Sequence, residues 1–206
     1  LTSGALDLKE GFYFGDELPD GDARPMHGPN VFPAEVPALR DAVLAFIDAQ
    51  RDTGHRIMRA LALSLGLDET YFERGLTAEP LSLFRIFHYP SPRDAQESSG
   101  WGVGEHTDYG LLTVLKQDDC GGLEVKTPRG WVDAPPLPGT FVCNLGDMLD
   151  RMTGGRYRST PHRVRNVSGR SRYSWPYFFD PNFSARVEPL PGFSVRPAEQ
   201  DAAERW

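Results

Sequence analysis

Two imidazoles and one carboxylate dominate the chemistry this sequence offers. In Glu105-His106-Thr107-Asp108 the histidine and the aspartate are two residues apart. An extended backbone projects both to one face, where they can share an ion. One His-x-Asp is a weak signal, and its bland reading is an exposed polar loop behind the glycine-rich run from Ser99 to Gly104. A second histidine, in Ser159-Thr160-Pro161-His162-Arg163-Val164, lies 54 residues beyond Asp108. That separation lets several antiparallel strands bring it back. His106, Asp108 and His162 on one face would leave positions of an iron(II) ion open for dioxygen and an organic ligand, the facial-triad arrangement. A structural zinc site would instead close its shell with four protein ligands, preferably including cysteine. Cys120 and Cys143 have no spacing that supports one. His27, His55 and His88 read as structural or exposed.

Ten residues past His162 stands Arg172-Tyr173-Ser174. Arg172 and Ser174 share a strand face, and a guanidinium beside a hydroxyl suits a carboxylate. Seven arginines and no acid lie between Arg151 and Arg172. This is either a solvated sheet face or a local field that welcomes a small anion. Asn144 and Asp147 could support the metal site from behind, or cap a short helix at Gly146. The run Gly100-Trp101-Gly102-Val103-Gly104 neither follows a strand nor opens a helix, so it is no dinucleotide fingerprint.

The elements that must position these groups change character along the chain. Residues 16–38, rich in Pro, Gly and Asp, read as an ordered surface loop. From Pro37 to Leu65 the apolar positions Leu39, Val43, Ile47, Met58, Leu61 and Leu65 recur at helical spacing. The spacing predicts one long helix, or two divided near Thr53-Gly54, with Asp68 capping a short turn through Phe72. Beyond residue 80, short β-branched or aromatic stretches alternate with Gly, Pro and Asp turns. Strands are predicted at Leu81–Tyr89, Leu111–Gln117, Leu123–Lys126, Trp131–Asp133, Thr140–Leu145, His162–Val167 and Arg172–Asp180, with a short helix at Gly146–Met152. Helices first and strands after make an α+β chain with a mainly β core, a sandwich or barrel.

Composition sets the boundaries. The chain has 206 residues, 39% hydrophobic and 25% charged, which suits one globular domain. A net charge of −7 argues against nucleic acid or an anionic membrane surface as partner. No apolar run is long enough to span a membrane. The first residues lack the pattern of a secretion signal, and two unspaced cysteines suit a reducing cytoplasm.

Four motifs carry a resemblance across roughly residues 80–185: His106-Thr107-Asp108-Tyr109-Gly110-Leu111-Leu112-Thr113, Asn144-Leu145-Gly146-Asp147, Arg156 through Val164, and Arg172-Tyr173-Ser174. With them the chain resembles the 2-oxoglutarate- and iron(II)-dependent dioxygenases, in the branch similar to isopenicillin N synthase. The resemblance implies a double-stranded β-helix, or jelly roll, flanked by N-terminal helices. Residues 1–206 would be a single domain lacking an upstream N-terminal segment. It implies iron(II) held by His106, Asp108 and His162, with 2-oxoglutarate as co-substrate and O₂ as oxidant. Arg172 and Ser174 would hold the distal carboxylate of 2-oxoglutarate. Tyr89, in Phe87-His88-Tyr89-Pro90, matches a tyrosine that often assists, although Phe87 stands where the plant-like branch commonly has Asn.

The expected activity couples oxidative decarboxylation of 2-oxoglutarate to hydroxylation, desaturation or cyclisation of a small organic molecule. Phe84, Phe178 and the 91–104 loop are expected to line the substrate pocket, and secondary metabolism is the expected setting. Two other functions remain open: a same-fold iron oxidase that does without 2-oxoglutarate, and a non-enzymatic metal- or ligand-binding jelly roll. The last would show itself by loss of a triad ligand or of Arg172, and none is lost.

Overall fold

The computed structural model describes residues 7–22, 24–25, 27–91 and 100–194. Along the chain come β1 (Glu10–Gly15), α1 (Ala38–Ser64), α2 (Tyr71–Gly75), β2 (Leu81–Tyr89), β3 (Val103–His106), β4 (Leu112–Gln117) and β5 (Leu123–Thr127). Then follow β6 (Gly130–Asp133), β7 (Val142–Leu145), α3 (Asp147–Met152), β8 (His162–Val164) and β9 (Arg172–Asp180). The strands form a five-stranded sheet ordered β1-β2-β9-β4-β7 and a four-stranded sheet ordered β3-β8-β5-β6. Each described pairing is antiparallel. The small sheet packs on the large one through Val103, Leu123 and Val164 against Phe87 and Tyr89.

Two strands escape the sequence pattern. β1 is Glu-Gly-Phe-Tyr-Phe-Gly, an edge strand whose Phe12 and Tyr13 stay exposed. Its pairing with β2 makes it a strand, not its own alternation. β3 follows glycines and is held by β8 across an irregular register. A strand therefore precedes the helices, so the strict order of helices before strands does not hold. β8 ends at Val164, short of the expected Val167; beyond it the Arg165 N–H still donates to the Gly122 carbonyl at 2.8 Å, while its Nε donates to the Gly100 carbonyl at 3.2 Å.

The long helix α1 is continuous. Its buried positions Val43, Ile47, Gln50, Gly54, Met58 and Ala62 form one stripe at helical spacing. Gly54, where the sequence allows a break, lies against the sheet. A Cβ there would strike the Phe179 ring, so glycine serves packing, not a turn. Asp68 caps the turn that leads into α2 and Phe72: its carboxylate accepts from the Thr70 N–H at 2.9 Å and the Thr70 hydroxyl at 2.6 Å, and its carbonyl accepts from the Tyr71 N–H at 3.0 Å.

Strand parity divides the large sheet into two unlike faces. Phe14, Phe84, Leu112, Val114, Tyr177 and Phe179 point to one side and form the main core with Val43, Ile47 and Met58 of α1. Cross-strand pairing puts Phe84 opposite Phe14 and Tyr177, and Phe179 opposite Leu112. The alternate residues point between the sheets: Phe87 opposite Ser174, Tyr89 opposite Arg172, Thr113 opposite Phe178 and opposite Asn144. No helix among the described residues is long and apolar enough to cross a membrane.

Candidate metal and co-substrate site

His106, at the end of β3, and His162, at the start of β8, are directly paired across the small sheet. Their ring centroids are 4.3 Å apart. Asp108 follows in the loop to β4. Oδ1 of its carboxylate lies 3.8 Å from Nε2 of each histidine, and one ligand atom from each of the three falls within 4.8 Å of the others. The gaps exceed hydrogen-bond length and have the size of a shared-ion site. The expected set thus converges, although the His106–Asp108 segment is not a continuous strand.

The surroundings orient every donor. Nδ1 of His106 lies 2.8 Å from the Gly104 carbonyl, and Nδ1 of His162 lies 3.1 Å from that of Thr160. Each imidazole thereby donates Nδ1–H to backbone and turns an unprotonated Nε2 to the centre. Burial, reinforced by the neighbouring His162, pushes the His106 pKa below its usual value, favouring the neutral ligand form. Oδ2 of Asp108 accepts from Thr113 Oγ1 at 2.6 Å and Asn144 Nδ2 at 2.7 Å; Oδ1 takes no hydrogen bond among the described residues and stays free for an ion.

α3 braces the loop from behind. The Asp147 N–H donates to the Asp108 carbonyl at 2.7 Å, and the Thr107 hydroxyl donates to Asp147 Oδ2 at 3.1 Å. Asn144 and Asp147 thus both act at the site. A donor set of two neutral imidazoles and one carboxylate, with no fourth protein ligand among the described residues, fits iron(II) and not a closed zinc shell.

Deeper between the sheets lies a second constellation. Arg172 is fully buried. Its Nε donates to the Gly121 carbonyl at 2.6 Å and its Nη2 to Gln117 Oε1 at 3.2 Å, and its guanidinium lies 4.7 Å from the centre of the Tyr89 ring. Nη1 is buried and has no hydrogen-bond partner among the described residues. An unmet charged donor is costly inside a protein, and a ligand carboxylate would meet it. Ser174 and Tyr89, both 2% exposed, stand beside it with their oxygens 3.3 Å apart. Gln117 and the Gly121 carbonyl are not legible from spacing. Gly121 and Gly122 adopt φ of 74° and 85°, left-handed geometry that lets the turn aim that carbonyl inward.

The remaining candidates separate by parity. Phe178 faces the interior, opposite Thr113. Phe84 does not: it is buried on the helix side, its ring 4.7 Å from that of Phe46. Its assignment to the substrate pocket is corrected, because even-numbered residues of β2 point toward α1. Of the 91–104 loop, residues 92–99 lie outside the described residues. His88 stacks on Tyr173 on the outer face, His55 meets Phe179 edge-on, and His27 meets Phe183. In the arginine-rich stretch Arg163 pairs with Glu124 between Trp101 and Trp131, and Arg170 pairs with Asp119. Arg172 is the member of that stretch that stands in the interior constellation.

Two interior groups emerge only from the fold. Asp180, at the end of β9, accepts the Leu111 N–H at 3.3 Å, and burial pushes its carboxyl up to about 6. Arg85 lies over Phe178 and Tyr13.

Residues 80–181 match the family model described as the 2OG-Fe(II) oxygenase superfamily. A Dictyostelium discoideum protein described as a probable iron/ascorbate oxidoreductase is 47% identical over all of this chain and 64% of its own length. A 1-aminocyclopropane-1-carboxylate oxidase of Dictyostelium mucoroides is 37% identical, over all of this chain and 66% of its own. The crystal structure of a Neurospora crassa protein in complex with alpha-KG and thymine superposes with a TM-score of 0.81 at 35% identity, covering 95% of this chain and 60% of that one. The chain belongs to the 2OG-Fe(II) oxygenase superfamily, a class of oxidoreductases built on a jelly roll that works with iron(II) and 2-oxoglutarate. It spans just under two thirds of the length of these two curated relatives.

Proposed function

We propose that the protein is a 2-oxoglutarate-dependent oxygenase, converting 2-oxoglutarate and O₂ to succinate and CO₂ while oxidising a small organic substrate. His106, Asp108 and His162 would hold iron(II), and Arg172, Ser174 and Tyr89 would hold the distal carboxylate of 2-oxoglutarate. The observation that carries this reading is the pairing of three convergent ligand atoms with a buried, unpaired Arg172 Nη1 between the same two sheets. Bound iron(II) supplies the redox centre at which dioxygen is used.

The chain's own residues do the rest. The Gly104 and Thr160 carbonyls hold the imidazole tautomers, and Thr113 with Asn144 keeps Asp108 Oδ1 turned inward. Arg172 fixes the far end of the co-substrate, and Phe87, Tyr89, Val103 and Val164 exclude water. Thymine bound in the Neurospora crassa protein and the substrate in the oxidase relative's name support a small-molecule substrate.

The test is anaerobic titration with iron(II) and 2-oxoglutarate, followed by succinate release on admitting O₂. Arg172→Gln is expected to weaken 2-oxoglutarate binding at least about 30-fold, as losing one side of a buried charged contact does. Unchanged affinity in that variant would overturn the assignment. The 2-oxoglutarate-independent oxidase is favoured by the two relatives named for oxidase or iron/ascorbate activity. O₂ uptake with substrate but without the keto acid would establish it.

A further inference from the structure

We infer that Arg85 anchors a carboxylate of the primary substrate, so that the protein acts on small organic acids. The inference rests on the oxygenase reading of the interior and extends it. Arg85 pairs in register with Tyr13 and shares the inward face of β2 with Phe87 and Tyr89. Its guanidinium carbon lies 4.7 Å from the ring centre of Phe178, 4.8 Å from that of Tyr13 and 5.8 Å from that of Phe87. Rings stacked on a guanidinium cover its faces and leave its in-plane N–H edges free. Those edges form the planar fork that receives a carboxylate.

Nothing among the described residues fills the fork. Among the described residues Nε of Arg85 is buried without a hydrogen-bond partner, and no carboxylate of theirs lies within ion-pair distance of it. Asp180 is close enough for the two charges to interact, yet its hydrogen bond goes to the Leu111 N–H. By contrast Arg51, Arg59 and Arg163 each hold an acid.

On the oxygenase reading the co-substrate is held by Arg172. Arg172 sits opposite Tyr89, four residues along β2 from Arg85, which sets the two backbone positions about 13 Å apart. Arg85 is thus left for a second anion, one whose apolar body would rest on Phe178 and Tyr13.

The test pairs acids with their carboxamides: L-arginine, 1-aminocyclopropane-1-carboxylate, phenylacetate and hexanoate, with thymine as a neutral probe. Each is titrated by ligand-observed NMR against full-length protein loaded anaerobically with 2-oxoglutarate and a redox-inert divalent ion in place of iron. At least one acid is expected to bind about tenfold or more tighter than its amide. Arg85→Gln should erase that preference while 2-oxoglutarate affinity, measured separately, changes less than about twofold. Arg85→Lys, which keeps charge but not the fork, should retain part of the preference and report on folding.

Equal binding of acids and amides, tighter binding of thymine than of every acid, a preference that survives in Arg85→Gln, or no acid binding at all would overturn the inference. Loss of 2-oxoglutarate affinity in Arg85→Gln would also overturn it, by giving Arg85 to the co-substrate. Failure of 2-oxoglutarate to bind wild type would sink the oxygenase reading instead, and the acid-against-amide comparison, repeated without it, would still decide the role of Arg85.

Discussion

The two faces of the large sheet are built from the same strands and obey opposite rules. On the helix side Phe14, Phe84, Tyr177 and Phe179 meet α1 in an apolar layer. Ser82, buried there beside Tyr177, has its hydroxyl 2.9 Å from the Tyr177 oxygen, and the polar atoms left without a partner on this side, such as Gln50 Oε1, belong to uncharged groups. On the inner side, one residue along each strand, stand Arg85, Arg172, Ser174 and Asn144, with nitrogens of both arginines left unmet. The lesson is a division of labour by parity. One face supplies stability through burial, and that stability lets the other carry charge without partners until ligands arrive.

The sharpest way to break the inner face is His162→Ala. Succinate release should fall more than about 100-fold, beyond the cost of losing a residue that merely orients a ligand. Thermal unfolding of the metal-free protein should show a stability change of about 1 kcal/mol, the usual size for a single substitution. Turnover that survives would remove His162 from the metal site. The matching blow to the outer face is Phe179→Ala, which empties a fully buried ring site against Gly54. It should cost about 3–5 kcal/mol in denaturant unfolding, yet leave 2-oxoglutarate affinity of the folded fraction nearly unchanged. A large affinity loss would mean the two faces are not separable.

Asp180 tests the boundary between them. Burial raises its carboxyl from 3.8 to about 6, so the folded state prefers the protonated acid. Stability from this group is complete below about pH 4 and is lost as pH rises through about 6, by up to about 3 kcal/mol. In metal-free protein, Asp180→Asn should flatten that part of the stability–pH curve while keeping an acceptor for the Leu111 N–H. A slope identical to wild type would show that the group is not perturbed. The mildest change, Thr113→Val, removes one donor to Asp108 Oδ2. Iron(II) affinity should drop about 10- to 100-fold with little change in stability, and a drop below threefold would make Asn144 the sufficient support.

Much of the site is legible in the sequence because its chemistry is local. His106 and Asp108 announce themselves by spacing, and Arg172 and Ser174 by sharing a strand face. Their motifs, taken together, point to the family without any knowledge of contacts. Parity along β2 is readable in principle, but which parity faces inward is not, so Phe84 reads as a pocket residue while Arg85 gives no signal. β1 and β3 escape the pattern for a related reason. Glycine-flanked segments have no pattern of their own, and their pairing partners lie about 75 and 60 residues downstream.

By itself the sequence determined residue types, hydrophobic periods and turn positions, because these depend on side-chain chemistry within a few residues. It therefore specified α1, most of the strands, and the roster of metal ligands. Only the tertiary structure decided that His106 and His162 meet as a cross-strand pair, that the Gly121 carbonyl and Gln117 grip Arg172, and that Arg85 shares the inward face of β2. Each of these depends on register between strands far apart in the chain. A shift of one residue would turn every such side chain to the other face.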